Sequence, residues 1–188
     1  MTEPNLYAAP KVQDLGPAPS VTPGAQPLYA VGIQKLVVLS VATFGLYMIH
    51  WMERQWRFHQ RATGEAIMPL ARGLFSVFFV QKLFRIVHDR AWLMGLAPTW
   101  KADWMAALYI VTVVLSNIGR YSGGFSVALI GAVLPLVVVQ RTINQIVERE
   151  CPEADMNEAY SVGNYVVLVI AVIFWGLVFV GMMSPASR

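Results

Sequence analysis

At 188 residues, with 56% hydrophobic and only 13% charged side chains, the chain has too little polar surface for a water-soluble domain, where about 25% are charged. The net charge of +3 is small and its cations cluster beside apolar segments, which indicates anionic lipid headgroups and excludes nucleic acid as a partner. A single cysteine, Cys151, excludes an internal disulfide and a metal site made of cysteines alone. The composition therefore predicts an all-α, polytopic membrane protein with one helical domain over residues 31–188.

Residues 1–30 are predicted to form a proline-rich, disordered tail. Six prolines fall within it, separated mainly by small and polar residues. Such a segment cannot bury enough apolar surface to offset the entropy lost on ordering. We expect either a plain tether or a docking peptide. Its anchors would be Leu6, Tyr7, Leu28 and Tyr29.

The first predicted transmembrane helix covers residues 33–52. Its apolar run is nearly uninterrupted, and at about 1.5 Å per residue it reaches across a hydrocarbon core of about 30 Å. Trp51 and Trp56 stand where an aromatic belt is expected at the membrane surface. Arg54 and Arg57 are expected to reach into the lipid headgroups beside them.

Residues 68–94 are predicted to form a re-entrant or interfacial amphipathic helix. Apolar residues recur there every three or four positions, and Lys82 and Arg85 on the opposite face are expected to contact lipid headgroups. The apolar stretch 68–80 is too short to cross alone and contains Arg72, although five spans result if it crosses at a tilt. The apolar positions of the amphipathic pattern are Val80, Leu83, Phe84, Val87, Ala91 and Met94.

Three more transmembrane helices are predicted at residues 102–118, 124–140 and 162–183, which makes four spans in total. Asp155 and Glu158 have the spacing of a capping box and are expected to start the last helix. The span at 124–140 carries small residues four positions apart, which lets a partner helix approach closely. These are Gly124, Ala128 and Ala132.

The distribution of basic residues predicts the orientation of the spans. Eight of the fourteen lysines and arginines lie between Met52 and Lys101, in the connection between the first two long apolar runs. The positive-inside rule then favours four spans with the N-terminus outside the cytoplasm.

No residue pattern in the sequence indicates catalysis. His50 and Glu53 lie one helical turn apart, but a metal site would need a further ligand, and no phosphate loop, nucleophile elbow or zinc helix motif is present. We therefore predict a protein with no enzymatic activity, no metal and no cofactor. Two alternatives stay open: an oligomeric channel or transporter with Arg72 and Arg85 along an anion path, and a lipid-modifying enzyme that uses His50 and Glu53.

The segment Leu39–Trp51 resembles the first-span signature of a family of small bacterial inner-membrane proteins of unknown function. The signature is Leu-Ser-x-x-Thr-x-Gly-x-Tyr-x-x-x-Trp, and Pro69–Ser76, Leu83–Arg85 and Gln140–Asn144 are similar to further blocks of the same family. The chain departs from the pattern at His50, where an aromatic residue is expected. The matched positions are Leu39, Ser40, Thr43, Gly45, Tyr47 and Trp51.

The resemblance implies a helical, multi-pass protein of the bacterial inner membrane, without implying an activity. Together with the absence of catalytic patterns, it leads us to predict an accessory or interaction protein. Its partners would be membrane lipids and either another membrane protein or further copies of this chain. Such a protein would serve as a small subunit or stabiliser of a larger membrane complex.

Overall fold

A computed structural model describes residues 26–118 and 125–183, with side chains for residues 26–116 and 131–180. Within these ranges the backbone forms seven α-helices and no strands, so the all-α class predicted from the sequence is confirmed there. Residues 1–25 of the predicted tail lie outside the described part of the chain. The helices are α1 (Ile33–Ala42), α2 (Leu46–Thr63), α3 (Pro69–Leu74), α4 (Ser76–Leu93), α5 (Ala102–Ile118), α6 (Phe125–Glu150) and α7 (Val162–Met183).

A sharp corner separates α1 from α2, so the prediction of one helix over residues 33–52 is wrong. Phe44 has φ 53° and Gly45 has φ 87°, and two successive left-handed residues end a right-handed helix. The Thr43 hydroxyl donates to the Leu39 carbonyl at 2.7 Å and accepts from the Tyr47 amide at 2.9 Å, which ties both helices to the corner. Hydropathy does not register this corner because the residues on both sides of it are apolar.

The segment before α1 packs into the protein core, so the predicted tail ends earlier than residue 30. Leu28, Ala30 and Val31 are almost completely buried. Tyr29 is hydrogen-bonded to Gln55, which lies in the third turn of α2. The chain therefore folds back at the corner, and α2 returns alongside α1.

Helix α3 packs against α2 with its backbone, because Gly73 has no side chain. A Cβ atom at Gly73 would lie 2.9 Å from the Glu53 Cβ and 3.0 Å from the Ile49 carbonyl oxygen. Such distances are closer than side-chain atoms tolerate, so only glycine permits this approach.

Helix α4 shows the amphipathic periodicity predicted for it, but protein covers its apolar face. The residues Val80, Leu83, Phe84, Val87 and Ala91 are all fully buried. They contribute to the core that α4 shares with α5 and α6. The apolar face is thus unavailable to lipid, and membrane contact in residues 68–94 would depend on other residues.

Helices α5 and α7 occupy the ranges predicted for spans, and α6 runs ten residues beyond residue 140 to Glu150. In the part of the chain that the structure describes, α7 is the one helix long and apolar enough to cross a membrane. Only 6% of its stretch Val162–Val180 is buried, and α7 contacts α1 and the corner, where Phe44 stacks on Trp175. Helix α1 and the stretch Ala102–Ser116 are apolar but shorter.

The start of α7 is capped by Ser161 and Asn164, so the predicted capping box at Asp155 and Glu158 is wrong. The Ser161 amide and hydroxyl both donate to Asn164 Oδ1, at 3.0 and 2.9 Å. This pair has the same spacing as a capping box and lies six residues later in the sequence than Asp155 and Glu158. Asp155 instead accepts a hydrogen bond from the Asn157 amide at 2.8 Å within the preceding loop.

Candidate functional site

The two tryptophans predicted to form a membrane belt are in the protein interior. Trp51 and Trp56 are fully buried, and the Trp51 indole donates to Gln140 Oε1 at 2.6 Å. Their prediction as residues at the lipid interface is therefore wrong. They are buried because α2 folds back from the corner and turns this face towards α6 and α3.

Three of the four cations predicted to contact headgroups are paired with carboxylates of the chain itself. Arg57 pairs with Glu53 on the preceding turn of α2. Lys82 lies 3.1 Å from Glu65, and Arg85 Nε lies 2.8 Å from Asp103 Oδ1. All three cations remain exposed enough to meet solvent or headgroups as well. They form ion pairs at the surface, which are individually weak.

Arg54 differs from the other three cations. It has no carboxylate partner among the residues whose side chains the structure describes, and its Nε is buried without a hydrogen-bond partner there. Its guanidinium lies 5.3 Å from the ring centre of Tyr29 and 5.7 Å from that of Phe58, so aromatic rings face it. The Arg54 guanidinium thus carries a positive charge that no carboxylate pairs with among the described side chains.

Glu65 lies outside the predicted spans, close to three basic side chains. Lys82 Nζ donates to it at 3.1 Å, His59 Nε2 lies 3.3 Å away and Arg72 lies 3.6 Å away. The hydrogen bond from Lys82 holds the pKa of Glu65 below its usual range, whereas burial lowers the pKa of His59. The cluster joins the end of α2 to α3 and α4.

The predicted small-residue stripe does not form an outer surface where it can be described. Gly124 and the side chain of Ala128 lie outside the described residues. Ala132 is fully buried within the chain, so it is not free to contact a partner helix. The close approach on α6 involves Gly131 instead, where a Cβ would lie 3.0 Å from Thr112 Cγ2 on α5.

Three amide side chains, two of them buried and one half-buried, hold the extended segment that precedes α1. Gln55 accepts from the Tyr29 amide at 3.0 Å and donates to the Tyr29 carbonyl at 2.9 Å. Asn144 donates to the Val31 carbonyl at 3.0 Å. Gln140 joins these two, since it accepts from Gln55 at 3.2 Å and donates to Asn144 at 2.6 Å. We call Gln55, Gln140 and Asn144 the amide clamp.

A polar cavity of about 500 Å³ opens between the start of α1, α2 and the loop before α7. Lys35 crosses one side of it, donating to Asn157 Oδ1 and to the Ala159 carbonyl, both at 2.8 Å. Asn157 also donates to the Tyr29 hydroxyl. The cavity lining includes Tyr29, Lys35, His50, Arg54, Asp155 and Asn157.

An apolar groove of about 980 Å³ lies between the α1–α2 corner and α7. Its lining is mostly aliphatic and aromatic, and it shares Tyr47, His50, Ser161 and Asn164 with the polar cavity. The two spaces are thus adjacent, with a polar end and an apolar end. The groove lining includes Ala42, Phe44, Leu46, Val167, Ile170 and Phe174.

The residues considered for metal binding and transport have other neighbours. Within the described residues, no group of three or more His, Cys, Asp or Glu side chains could hold a metal ion. His50 lines both the polar cavity and the apolar groove, while Glu53 is paired with Arg57. Arg72 lies 4.4 Å from the Trp56 ring centre as well as close to Glu65.

Several residues of these sites had no structural role assigned to them from the sequence. Gln140 and Asn144 are four residues apart on one helix and so share a face, and this spacing is a sequence signal for the hydrogen bond between them. Lys35 and Asn157 carry no such signal, because they meet only through the tertiary fold.

Comparison with protein-family models, with curated proteins and with solved structures finds no match to this chain. The resemblance to the bacterial membrane family therefore stays a prediction.

Proposed function

We propose that the chain is a multi-pass integral protein of a bacterial inner membrane that acts without catalysis, as an accessory subunit of a larger membrane complex. The observation that carries the proposal is the exposure of α7. Its stretch Val162–Val180 is long and apolar enough to cross a bilayer, and 94% of it is not buried by the rest of the chain. An apolar surface of this size favours lipid or another apolar helix as its neighbour.

The outer face of α5 supports more than one crossing. Large apolar residues recur there at intervals of four, three and four, and all of them are exposed, while Ala106 and Tyr109 face the interior. A helix that places its bulky apolar residues outward fits an apolar surrounding better than water. The outward residues are Trp104, Leu108, Val111 and Leu115.

The connection between α3 and α4 supports contact with the membrane at residues 68–80. The apolar face of α4 is buried, but the residues before and around its start project outward. If the α3–α4 connection enters the bilayer as a re-entrant segment, without a full crossing, lipid covers these exposed apolar side chains. The exposed residues are Met68, Leu70, Leu74, Phe75 and Phe78.

The surface of α7 also fits a protein partner. Gly176 faces open space, because a Cβ atom built there would meet nothing within 4 Å. A glycine on an otherwise bulky apolar helix lets a second helix approach closely, and van der Waals packing drives such association in lipid. The two cations of the channel alternative have protein neighbours instead, since Arg85 is paired with Asp103 and Arg72 packs on Trp56.

The test uses the full chain in its native membranes with a photoreactive residue at Val172, an exposed position of α7. Asp89, on the exposed polar face of α4, takes the same photoreactive residue as the matched control. We expect a discrete protein adduct from Val172 that is absent from Asp89. Release of the chain by alkaline washing would overturn the membrane assignment, and adducts to lipid alone would overturn the accessory role.

A further inference from the structure

The polar cavity and the apolar groove together have the shape and polarity of a lipid-binding site. They meet at Tyr47, His50, Ser161 and Asn164, so one molecule can occupy both. The polar end has hydrogen-bond donors and cations, whereas the groove beyond is lined by apolar side chains. A molecule that fills both spaces must have a polar head and an apolar tail.

The charges of the polar cavity favour an anionic head. Its lining carries the cations Lys35 and Arg54 against the one carboxylate of Asp155. The Lys35 ammonium donates two of its three N–H groups to neutral oxygens, those of Asn157 and Ala159. Its third N–H group remains for a ligand in the cavity. Arg54 has its buried Nε without an acceptor among the described residues. A phosphodiester in the cavity would pair with the Arg54 guanidinium, which lines it, and balance the excess positive charge.

The length of the apolar groove matches one leaflet of a bilayer. Along α7 the groove runs from Asn164, beside the polar cavity, to Phe174, ten residues on. At about 1.5 Å per residue this is about 15 Å, half of the roughly 30 Å hydrocarbon core. At the far end Phe44 closes on Phe174, with ring centres 5.0 Å apart, and stacks on Trp175 at 4.3 Å.

The position of the site relative to α7 agrees with the same occupant. The polar cavity lies at the first turn of α7, where a crossing helix would leave the headgroup region, and the groove follows that helix inward. We propose that this site binds one anionic glycerophospholipid. Its phosphate lies between Arg54 and Lys35, and one acyl chain lies in the groove against Val167 and Ile170. The inference rests on the proposed membrane location but not on the accessory role.

The head of the lipid is tested by charge removal in the full chain, purified in a neutral detergent. Phosphatidylglycerol is titrated against phosphatidylcholine, and the bound lipid is counted by native mass spectrometry. We expect one tightly held phosphatidylglycerol, bound about tenfold more weakly in Arg54→Gln, because a hydrogen bond to a charged group is lost. Arg141→Gln removes an exposed cation of α6 outside the cavity and is expected to leave binding unchanged.

The tail is tested by filling the groove. Val167 lines the groove, whereas Val169 is exposed on α7 and does not line it. Val167→Trp is expected to reduce phosphatidylglycerol binding at least tenfold, with Val169→Trp close to the native protein. The two tryptophan variants also test the proposal by themselves if Arg54→Gln is too unstable to purify.

Three results would overturn the proposal. If Arg54→Gln and Arg141→Gln weaken phosphatidylglycerol binding equally, the lipid is held by diffuse charge attraction. If Val167→Trp and Val169→Trp have equal effects on binding, the lipid does not use the groove. Stabilisation by inorganic phosphate alone, equal to that by phosphatidylglycerol, would reduce the site to an anion pocket. In each case a chain that resists alkaline extraction would still satisfy the proposed membrane location, so the two failures are distinguishable.

Discussion

Replacing Gln140 by leucine should release the segment before α1 from the core. Gln140 is fully buried, and its Oε1 is the acceptor for the Trp51 indole at 2.6 Å. Its Nε2 donates to Asn144 at 2.6 Å and to the Tyr29 carbonyl at 3.2 Å. The Tyr29 carbonyl keeps its hydrogen bond from Gln55, but the buried Trp51 N–H loses its acceptor.

The expected loss follows from the groups left unpaired. A buried polar group that loses its partner costs about 1–3 kcal/mol. Gln140→Leu removes the acceptor of the Trp51 N–H and one donor to Asn144 Oδ1, so together we expect the free energy of unfolding to fall by about 2–5 kcal/mol. For a chain of this size each kcal/mol shifts Tm by about 2–4 °C, so we expect a fall of roughly 10 °C. The assay is thermal unfolding of the purified chain in detergent, with hydrogen exchange at Tyr29 to Val31 as a local readout.

The matched control is Gln145→Leu, which makes the same chemical change at an exposed position of the same helix. It should alter stability by no more than about 0.5 kcal/mol. The amide clamp would not hold the segment if the two variants unfolded at the same temperature, or if exchange at Tyr29 and Val31 were unchanged in Gln140→Leu.

Two further predictions concern α3 and the cluster around Glu65. Gly73→Ala should lower stability by about 1–3 kcal/mol, because the added Cβ overpacks against Glu53. Gly176→Ala is the control, because its Cβ meets open space and should leave stability unchanged. Equal melting temperatures of the two variants would contradict the close α2–α3 contact. The pKa of Glu65 is held below its usual 4.5 by the hydrogen bond from Lys82, so its contribution is present above that pH and lost as the pH falls through the lower folded pKa. Glu65→Gln should therefore be less stable at pH 7, by at most about 1 kcal/mol for so exposed a pair, and equal to the native protein in strong acid. A difference that grows on acidification in a pH series of melting curves would have the wrong sign.

Local periodicity was the feature of the fold that could be predicted from the sequence. The buried face of α4 follows the 3.6-residue spacing, and the ranges of α5 and α7 follow from the lengths of their apolar runs. The predicted cap of α7 is wrong because Asp155 and Glu158 have the same three-residue spacing as the actual capping pair, Ser161 and Asn164. A three-residue spacing alone does not discriminate between neighbouring matches.

The corner between α1 and α2 could not be seen in hydropathy, although its chemistry is present in the sequence. Gly45 adopts a left-handed conformation that glycine favours at the end of a helix, and it follows a threonine that bonds back to Leu39. Missing the corner placed Trp51 and Trp56 at a membrane surface, because a continuous helix would have carried them there. The fold-back instead buries them.

Apart from the pairing of Gln140 with Asn144, the polar cavity and the amide clamp depend on contacts that no local pattern predicts. Lys35 and Asn157 are 122 positions apart, and Tyr29 and Gln140 are 111 apart. Lys35 lies in the first turn of α1 and Gln140 lies inside α6, whereas Tyr29 and Asn157 lie outside the helices. Only the packing of α1 and α2 against α6 and the loop before α7 brings them together.

The most direct test of the central claim is the water accessibility of the outer faces of α5 and α7 in native membranes. Single cysteines at Val111, Val172 and Asp89 are made in a Cys151→Ser background and treated with a membrane-permeant maleimide, which reacts only where water allows a thiolate to form. We predict that the cysteine at Asp89 reacts rapidly, while those at Val111 and Val172 react only after denaturation. Equal and rapid reaction at all three positions would contradict a membrane location for α5 and α7.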